Sequence, residues 1–172
     1  MNFRRFIPAI ALTIAATLAS PVTAMAMDKG VTMTKAAGPY SIELQLLPAE
    51  PFYSQAQYQK EHPKDGMLVM GGAAPVSPDA ASHPNHHLIV HVYDAASGKA
   101  ITDATVTISY SQGTSPAHSL PIVEMQAIGK GPQSTHYGNN LTLPDGTYTV
   151  TVTANGNTAT FNVMATSGSM KL

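Results

Sequence analysis

The feature that most constrains this chain is a regular alternation of apolar and polar residues in several short segments. Tyr148, Val150 and Val152 alternate with threonines, and residues 40–46 and 104–110 show the same period of two. A period of two places every second side chain on the same face of an extended strand. Each of these segments therefore predicts a half-buried β-strand.

Other segments of this kind, together with the turns between them, predict the fold class. Asn155-Gly156 is typical of a two-residue hairpin loop, and the segment 145–148 resembles the start of a strand that carries a tyrosine corner. No segment has the convincing period of a helix. With about seven short strands, the chain is predicted to be all-β, an immunoglobulin-like antiparallel β-sandwich. The further predicted strands cover residues 67–70, 86–93, 122–128, 137–143 and 159–163.

Residues 1–26 have the pattern of a secretory signal peptide. Two arginines precede an apolar run over 6–18, and small residues mark cleavage after either Ala24 or Ala26. The alternative is an uncleaved anchor helix, but the apolar run is short and Pro21 follows closely. We therefore expect a periplasmic protein, secreted through this signal peptide.

The rest of the chain predicts one domain with irregular parts. Residues 27–37 are small and polar, which indicates a flexible arm. A β-sandwich domain is expected over 38–165, and it includes a long irregular segment at 48–85 that is rich in proline and glycine. Residues 166–172 are expected to form a tail.

Composition excludes several classes of function. The chain has no cysteine, which rules out disulfides, thiolate metal sites and cysteine nucleophiles. Nine basic and ten acidic residues exclude nucleic-acid binding driven by positive charge. The acidic residues are scattered, and neither a nucleophile elbow nor an HExxH motif occurs, so we do not expect an enzyme. A copper oxidase would need a fuller set of ligands.

Seven histidines make metal binding the first chemical candidate. His87 and His91 share one face of the predicted strand 86–93 but stand about 13 Å apart, so either would need ligands from neighbouring strands. His86 faces the other side. Without thiolates, imidazole and thioether groups suit copper in either oxidation state. The alternative is that these imidazoles are solvated along the edge of a strand.

Two residues further along the chain are additional candidates. Met125 has the alternation of a core methionine, although its thioether could also bind a soft metal. His136 begins a strand after a Gly/Pro loop, where it could reach a metal or bond the loop backbone. His118 lies in a Ser/Pro loop and is expected at the surface. Weaker candidates lie near one another in the long irregular segment: His62, Met67 and Met70.

Several motifs resemble one family of secreted proteins. The His-Tyr-Gly-x-Asn sequence at 136–140 is the most specific of them, and the His-Leu strand start at 87–88 is another. The chain resembles the periplasmic proteins that accompany bacterial iron permeases. These are immunoglobulin-like dimers that bind copper and support iron uptake. Less specific similarities occur over residues 44–51, 106–110, 121–125 and 146–150.

The resemblance implies a ligand set and a function. The copper ligands of the family correspond here to His87, Met125 and His136. The implied function is a carrier of copper, or an accessory in metal uptake or homeostasis. The implied partners are a metal ion, an inner-membrane metal permease and a second copy of the chain.

The chain departs from the family pattern in three ways, one of which is a spacing from Met125 to His136 that is longer by about four residues. Ile89 stands where the family has a glutamate, so iron is less expected than copper because the carboxylate that a harder ion prefers is missing. No histidine follows His136, so the fourth family ligand is also missing. The alternative function is an adhesion or carbohydrate-binding module without metal, which the small number of aromatic residues disfavours. Candidates to replace the fourth ligand are His91, His86 and His83.

Overall fold

A computed structural model describes residues 30–71 and 83–166 of the chain. The predicted signal peptide and all but the first residue of the predicted tail lie outside the described residues, as do residues 72–82.

Two β-sheets make up most of the described structure. The larger sheet has the strand order β1-β2-β5-β9-β8-β4-β3, and the smaller has the order β11-β10-β6-β7. The strand pairs are antiparallel except β3 with β4, which is parallel. In chain order the elements are β1 (Val31–Ala37), β2 (Tyr40–Pro48), β3 (Phe52–Tyr53), α1 (Gln55–Glu61), β4 (Met67–Val69), β5 (His86–Asp94), β6 (Val106–Gln112), β7 (His118–Leu120), β8 (Val123–Ala127), a 3-10 helix (Pro132–Ser134), β9 (His136–Leu141), β10 (Gly146–Ala154) and β11 (Asn157–Ala165).

Strand alternation creates the main core between the sheets. Every second residue of β2 and β5 points toward the smaller sheet, whose own apolar residues alternate with threonines and serines. The predicted all-β sandwich is confirmed, but the predicted count of about seven strands is wrong, because the described residues form eleven. Fully buried side chains of this core include Ile42, Leu44, Leu88, Val90, Ile108, Val150, Val152 and Phe161.

Two local predictions in the smaller sheet are confirmed. Asn155 and Gly156 form the two-residue loop between β10 and β11, and both have positive φ angles, 47° and 80°. Two positive φ angles define the hairpin turn that matches the natural twist of the strands. The Tyr148 hydroxyl donates a hydrogen bond of 3.0 Å to the carbonyl oxygen of Pro144, which forms the tyrosine corner.

The prediction of a flexible arm over 27–37 is wrong for Val31–Ala37. These residues form β1, which pairs along its whole length with β2 at the edge of the larger sheet. An edge strand is held mainly by backbone hydrogen bonds, so its side chains can be polar and exposed. For that reason it lacks the apolar alternation that marks the inner strands.

The described part of the segment 48–85 contains two elements that were not predicted, β3 and α1, and β4, which matches the strand predicted at 67–70. Helix α1 begins with a capping box. The Ser54 hydroxyl accepts a hydrogen bond from the Gln57 backbone, and the Gln57 side chain accepts one from the Ser54 backbone. A Ser-x-x-Gln pattern is a known signal for a helix start. The helix buries no side chain, so it lacks the apolar period by which helices are recognised.

Candidate metal site

The larger sheet carries a second group of buried apolar side chains on the face turned away from the main core. Leu88 and Val90 of β5 belong to the main core, so the residue between them, Ile89, lies on the opposite face. Ile89 packs there with residues from β4 and β8. We call this group the second core, and it consists of Met67, Val69, Ile89, Val123 and Met125.

The larger sheet curls, so that β3 at its far edge comes close to β5 on the face that carries the second core. Three strands separate β3 from β5 in the sheet, yet the rings of Phe52 on β3 and His87 on β5 are only 5.3 Å apart between centroids. The Asn140 side chain holds this closure in place. It donates to the carbonyl oxygen of Glu50 at 2.7 Å and accepts from the Glu50 backbone N–H at 3.2 Å.

Three predicted ligands meet inside the curl. Met125 and His136 are direct partners in the register of β8 and β9, so their side chains are neighbours on the same face. The rings of His87 and His136 are 6.0 Å apart between centroids, in an edge-to-face arrangement. All three side chains are buried, with exposed fractions of 0% for His87 and Met125 and 2% for His136. The structure thus brings two imidazoles and one thioether together in an apolar surrounding.

Three imidazole nitrogens in this group have no hydrogen-bond partner among the described residues. Nδ1 of His136 lies 2.8 Å from the Ser134 carbonyl oxygen, which only accepts, so this nitrogen carries the proton and Nε2 is left as a lone pair. Nε2 of His136 and both ring nitrogens of His87 are buried without a partner. Leaving a buried polar atom unpaired costs about 1–3 kcal/mol. A neutral imidazole has one lone pair, so His87 and His136 could each offer one nitrogen to a metal ion.

Burial keeps both histidines neutral. The pKa of His87 is lowered to about 3, first by desolvation and then by the positive charge that His136 can carry. The Asn140 side chain and the Asn139 backbone weakly oppose this pKa shift, although neither makes a hydrogen bond of normal geometry to the ring. Desolvation also lowers the pKa of His136 to about 4, against the opposing effect of the Ser134 carbonyl. Neutral imidazole is the form that binds metals.

His91 is the fourth member of the group. Its ring centroid is 5.3 Å from that of His136, and Nδ1 lies 3.2 Å from the Thr135 carbonyl oxygen. The side chain is half-buried, and its ring stacks on Tyr93 at 6.0 Å. His136 on β9 lies between His87 and His91, so its ring is close to the rings of both histidines of β5.

The other candidates lie elsewhere. His86 was a predicted ligand, and the structure places it on the face of β5 opposite His87, as the alternation predicted. Its Nδ1 is bonded to the Asn85 side chain at 2.8 Å, away from the other predicted ligands. His83 is exposed, so only His91 of the three replacement candidates joins the group. His62 is exposed at the end of α1, whereas Met67 lies in the second core.

The His-Tyr-Gly-x-Asn motif shapes β9 around the site. Tyr137 points into the main core, where its hydroxyl accepts a hydrogen bond of 2.9 Å from the Ala104 backbone. Gly138 lies against β5, and a Cβ atom there would overlap the carbonyl oxygen of Leu88. His136 and Asn140 face the second core. The sequence predicted the importance of the motif, but not the part that Asn140 has in closing the curl.

The donor set combines imidazole nitrogens with a thioether sulfur. Within residues 30–71 and 83–166, histidine and carboxylate side chains alone form no group of three that could hold a metal ion. A site here requires the Met125 thioether as well as the two buried imidazoles. Two imidazoles and a thioether form a soft donor set.

Comparisons of the chain with protein-family models, with curated proteins and with solved structures found no match. The resemblance to the periplasmic proteins that accompany iron permeases therefore stays a prediction. In the part of the chain that the structure describes, no helix is long and apolar enough to cross a membrane.

Proposed function

We propose that this chain is a periplasmic copper-binding protein that carries copper or assists its uptake or homeostasis. The observation that supports this most strongly is the cluster of three unpartnered, buried imidazole nitrogens on His87 and His136 beside the Met125 thioether. Buried polar atoms without partners are rare in folded proteins and often occur where a site binds a ligand.

The chemistry of the donors favours copper over other metals. Imidazole and thioether are borderline and soft ligands, which suit Cu(I), whereas magnesium and calcium prefer oxygen ligands and non-haem iron typically takes a carboxylate beside its imidazoles. The three side chains supply no carboxylate, and the sequence contains no cysteine for a thiolate site. The walls around them are apolar, with Ile89 and Phe52 on two sides. An apolar site also suits a low-charge ion such as Cu(I).

The cellular setting of the proposal comes from the sequence. The predicted signal peptide supports the periplasm, and the resemblance to proteins that accompany iron permeases supports an inner-membrane metal permease as partner. The same resemblance supports a homodimer. A carrier needs tight, reversible binding, which a small set of buried imidazole and thioether ligands could supply.

The experiment is a copper titration of the protein purified without an affinity tag. Cu(I) is added in competition with a chromophoric Cu(I) chelator, and the copper content is measured by elemental analysis. We expect one copper per chain with a Kd below about 1 μM. Binding should be lost in His136→Ala and retained in His118→Ala, a control in which an exposed histidine on the smaller sheet is removed. Binding that is equally weak in the wild type and His136→Ala would overturn the proposal.

A further inference from the structure

The aromatic rings at the site form a continuous line from the interior to the surface. Centroid distances are 6.0 Å from His87 to His136, 5.3 Å from His136 to His91 and 6.0 Å from His91 to Tyr93. Burial decreases along the same line. His87 and His136 are buried, whereas His91 and Tyr93 are half-buried. The half-buried side chain of His91 therefore lies between the buried ligands and solvent, and this side chain can bind a metal.

The two histidines at the centre of this line are oriented in the same way. Nδ1 of His136 donates to the Ser134 carbonyl, and Nδ1 of His91 donates to the carbonyl of the next residue, Thr135. Carbonyl oxygens only accept, so both rings hold their proton on Nδ1. Each ring therefore presents Nε2 as a lone pair that can bind a metal, and the adjacent carbonyls fix both orientations together.

A carboxylate lies at the outer end of the line. Glu43 on β2 is the direct register partner of His91 on β5, and both side chains are half-buried. The Gln45 side chain donates to one carboxylate oxygen of Glu43 at 2.7 Å, which orients the group. The negative charge of Glu43 acts on both His91 and Tyr93, so it reaches the rings at this end of the site.

We infer that His91 and Glu43 form an outer copper site through which the ion reaches and leaves the buried ligands His87, His136 and Met125. This inference rests on the proposed function. The outer site has one imidazole and one carboxylate and is open to solvent, so it holds copper more weakly than the buried site. Transfer from His91 to His136 is a ligand exchange, in which one metal–nitrogen bond forms as another breaks and the oxidation state stays the same.

The sequence places this carboxylate differently from the family that the chain resembles. Ile89 occupies the strand position of the family glutamate and belongs to the second core. Glu43 approaches from the neighbouring strand instead, on the far side of His91 from His136. The outer site is thus separate from the buried ligands, and its removal should change the rate of copper exchange rather than the final affinity.

The test is a stopped-flow measurement of copper transfer from a Cu(I)–chelator complex to the wild type, His91→Ala, Glu43→Gln and the control His118→Ala. The final copper affinity of each protein is measured separately by equilibrium competition. We expect His91→Ala and Glu43→Gln to slow transfer by about tenfold or more, with the equilibrium affinity changed by less than about threefold. His118→Ala should match the wild type in both measurements.

Other outcomes separate the two proposals. If the wild type takes up no copper, the proposed function fails. If the wild type binds copper and both variants load at its rate, the outer site is overturned while the proposed function stands. If His91→Ala loses equilibrium binding as His136→Ala does, His91 is a ligand of the buried site, which also overturns the outer site. Glu43→Gln keeps the test valid if circular dichroism shows that His91→Ala is unfolded.

Discussion

Replacing Met125 by leucine separates the chemistry of its sulfur from its packing. The side chain is fully buried in the second core and lies beside His136 across β8 and β9. Leucine has nearly the same volume, so the substitution should cost less than about 1.5 kcal/mol of folding free energy. Alanine would instead leave a cavity and cost about 2–5 kcal/mol.

The effect of Met125→Leu on copper should be much larger than its effect on folding. With one of three ligands removed, we expect copper affinity to fall by at least about 100-fold, equivalent to about 2.7 kcal/mol. Urea denaturation of the metal-free protein measures the free energy of unfolding, and competition with a Cu(I) chelator measures the copper affinity. A variant that folds normally and binds copper like the wild type would refute the assignment of the thioether as a ligand.

The remaining predictions concern the metal-free protein. The pKa values of His87 and His136 lie near 3 and 4 in the folded chain and near the ordinary value of 6.5 when unfolded. The unfolded chain therefore binds more protons below pH 6.5, so stability falls as the pH is lowered, by about 2 kcal/mol for each histidine at pH 5. Urea denaturation at pH 7.5 and pH 5 checks this loss, and equal stabilities would contradict it. Asn140→Ala removes both hydrogen bonds to the Glu50 backbone and should cost about 1–3 kcal/mol in the same assay, while a change below 0.5 kcal/mol would argue against its part in the closure. Gly138→Ala should cost about 3 kcal/mol or more, because its Cβ would overlap the backbone of β5, and a variant with wild-type melting temperature would show that β9 can move away.

The fold class could be predicted because its signal is local. In β10, Tyr148, Val150 and Val152 alternate with threonines, and this alternation alone determines which side chains enter the core. The loop at Asn155 and Gly156 was equally predictable, since its positive φ angles require particular residues. Strand β1 was not predictable from alternation, because its position at the sheet edge depends on backbone pairing with β2.

The candidate site was only partly predictable. The motif around His136, together with His87 and Met125, indicated residues that the structure does bring together. The curl of the larger sheet is a long-range feature, and nothing near Phe52 in the sequence indicates that its ring will contact His87. His86 lies on the opposite face of β5 from His87, as the strand alternation predicted, and the structure does not bring it to His87 and His136.

X-ray absorption at the copper edge of the copper-loaded protein shows whether His87, His136 and Met125 bind the metal. This measurement identifies the atoms bound to the metal without relying on affinity. We expect one sulfur scatterer together with the multiple-scattering pattern of two imidazoles, and we expect the sulfur signal to disappear in Met125→Leu. A spectrum that shows only nitrogen and oxygen neighbours, or one that is unchanged in Met125→Leu, would contradict a copper site formed by His87, His136 and Met125.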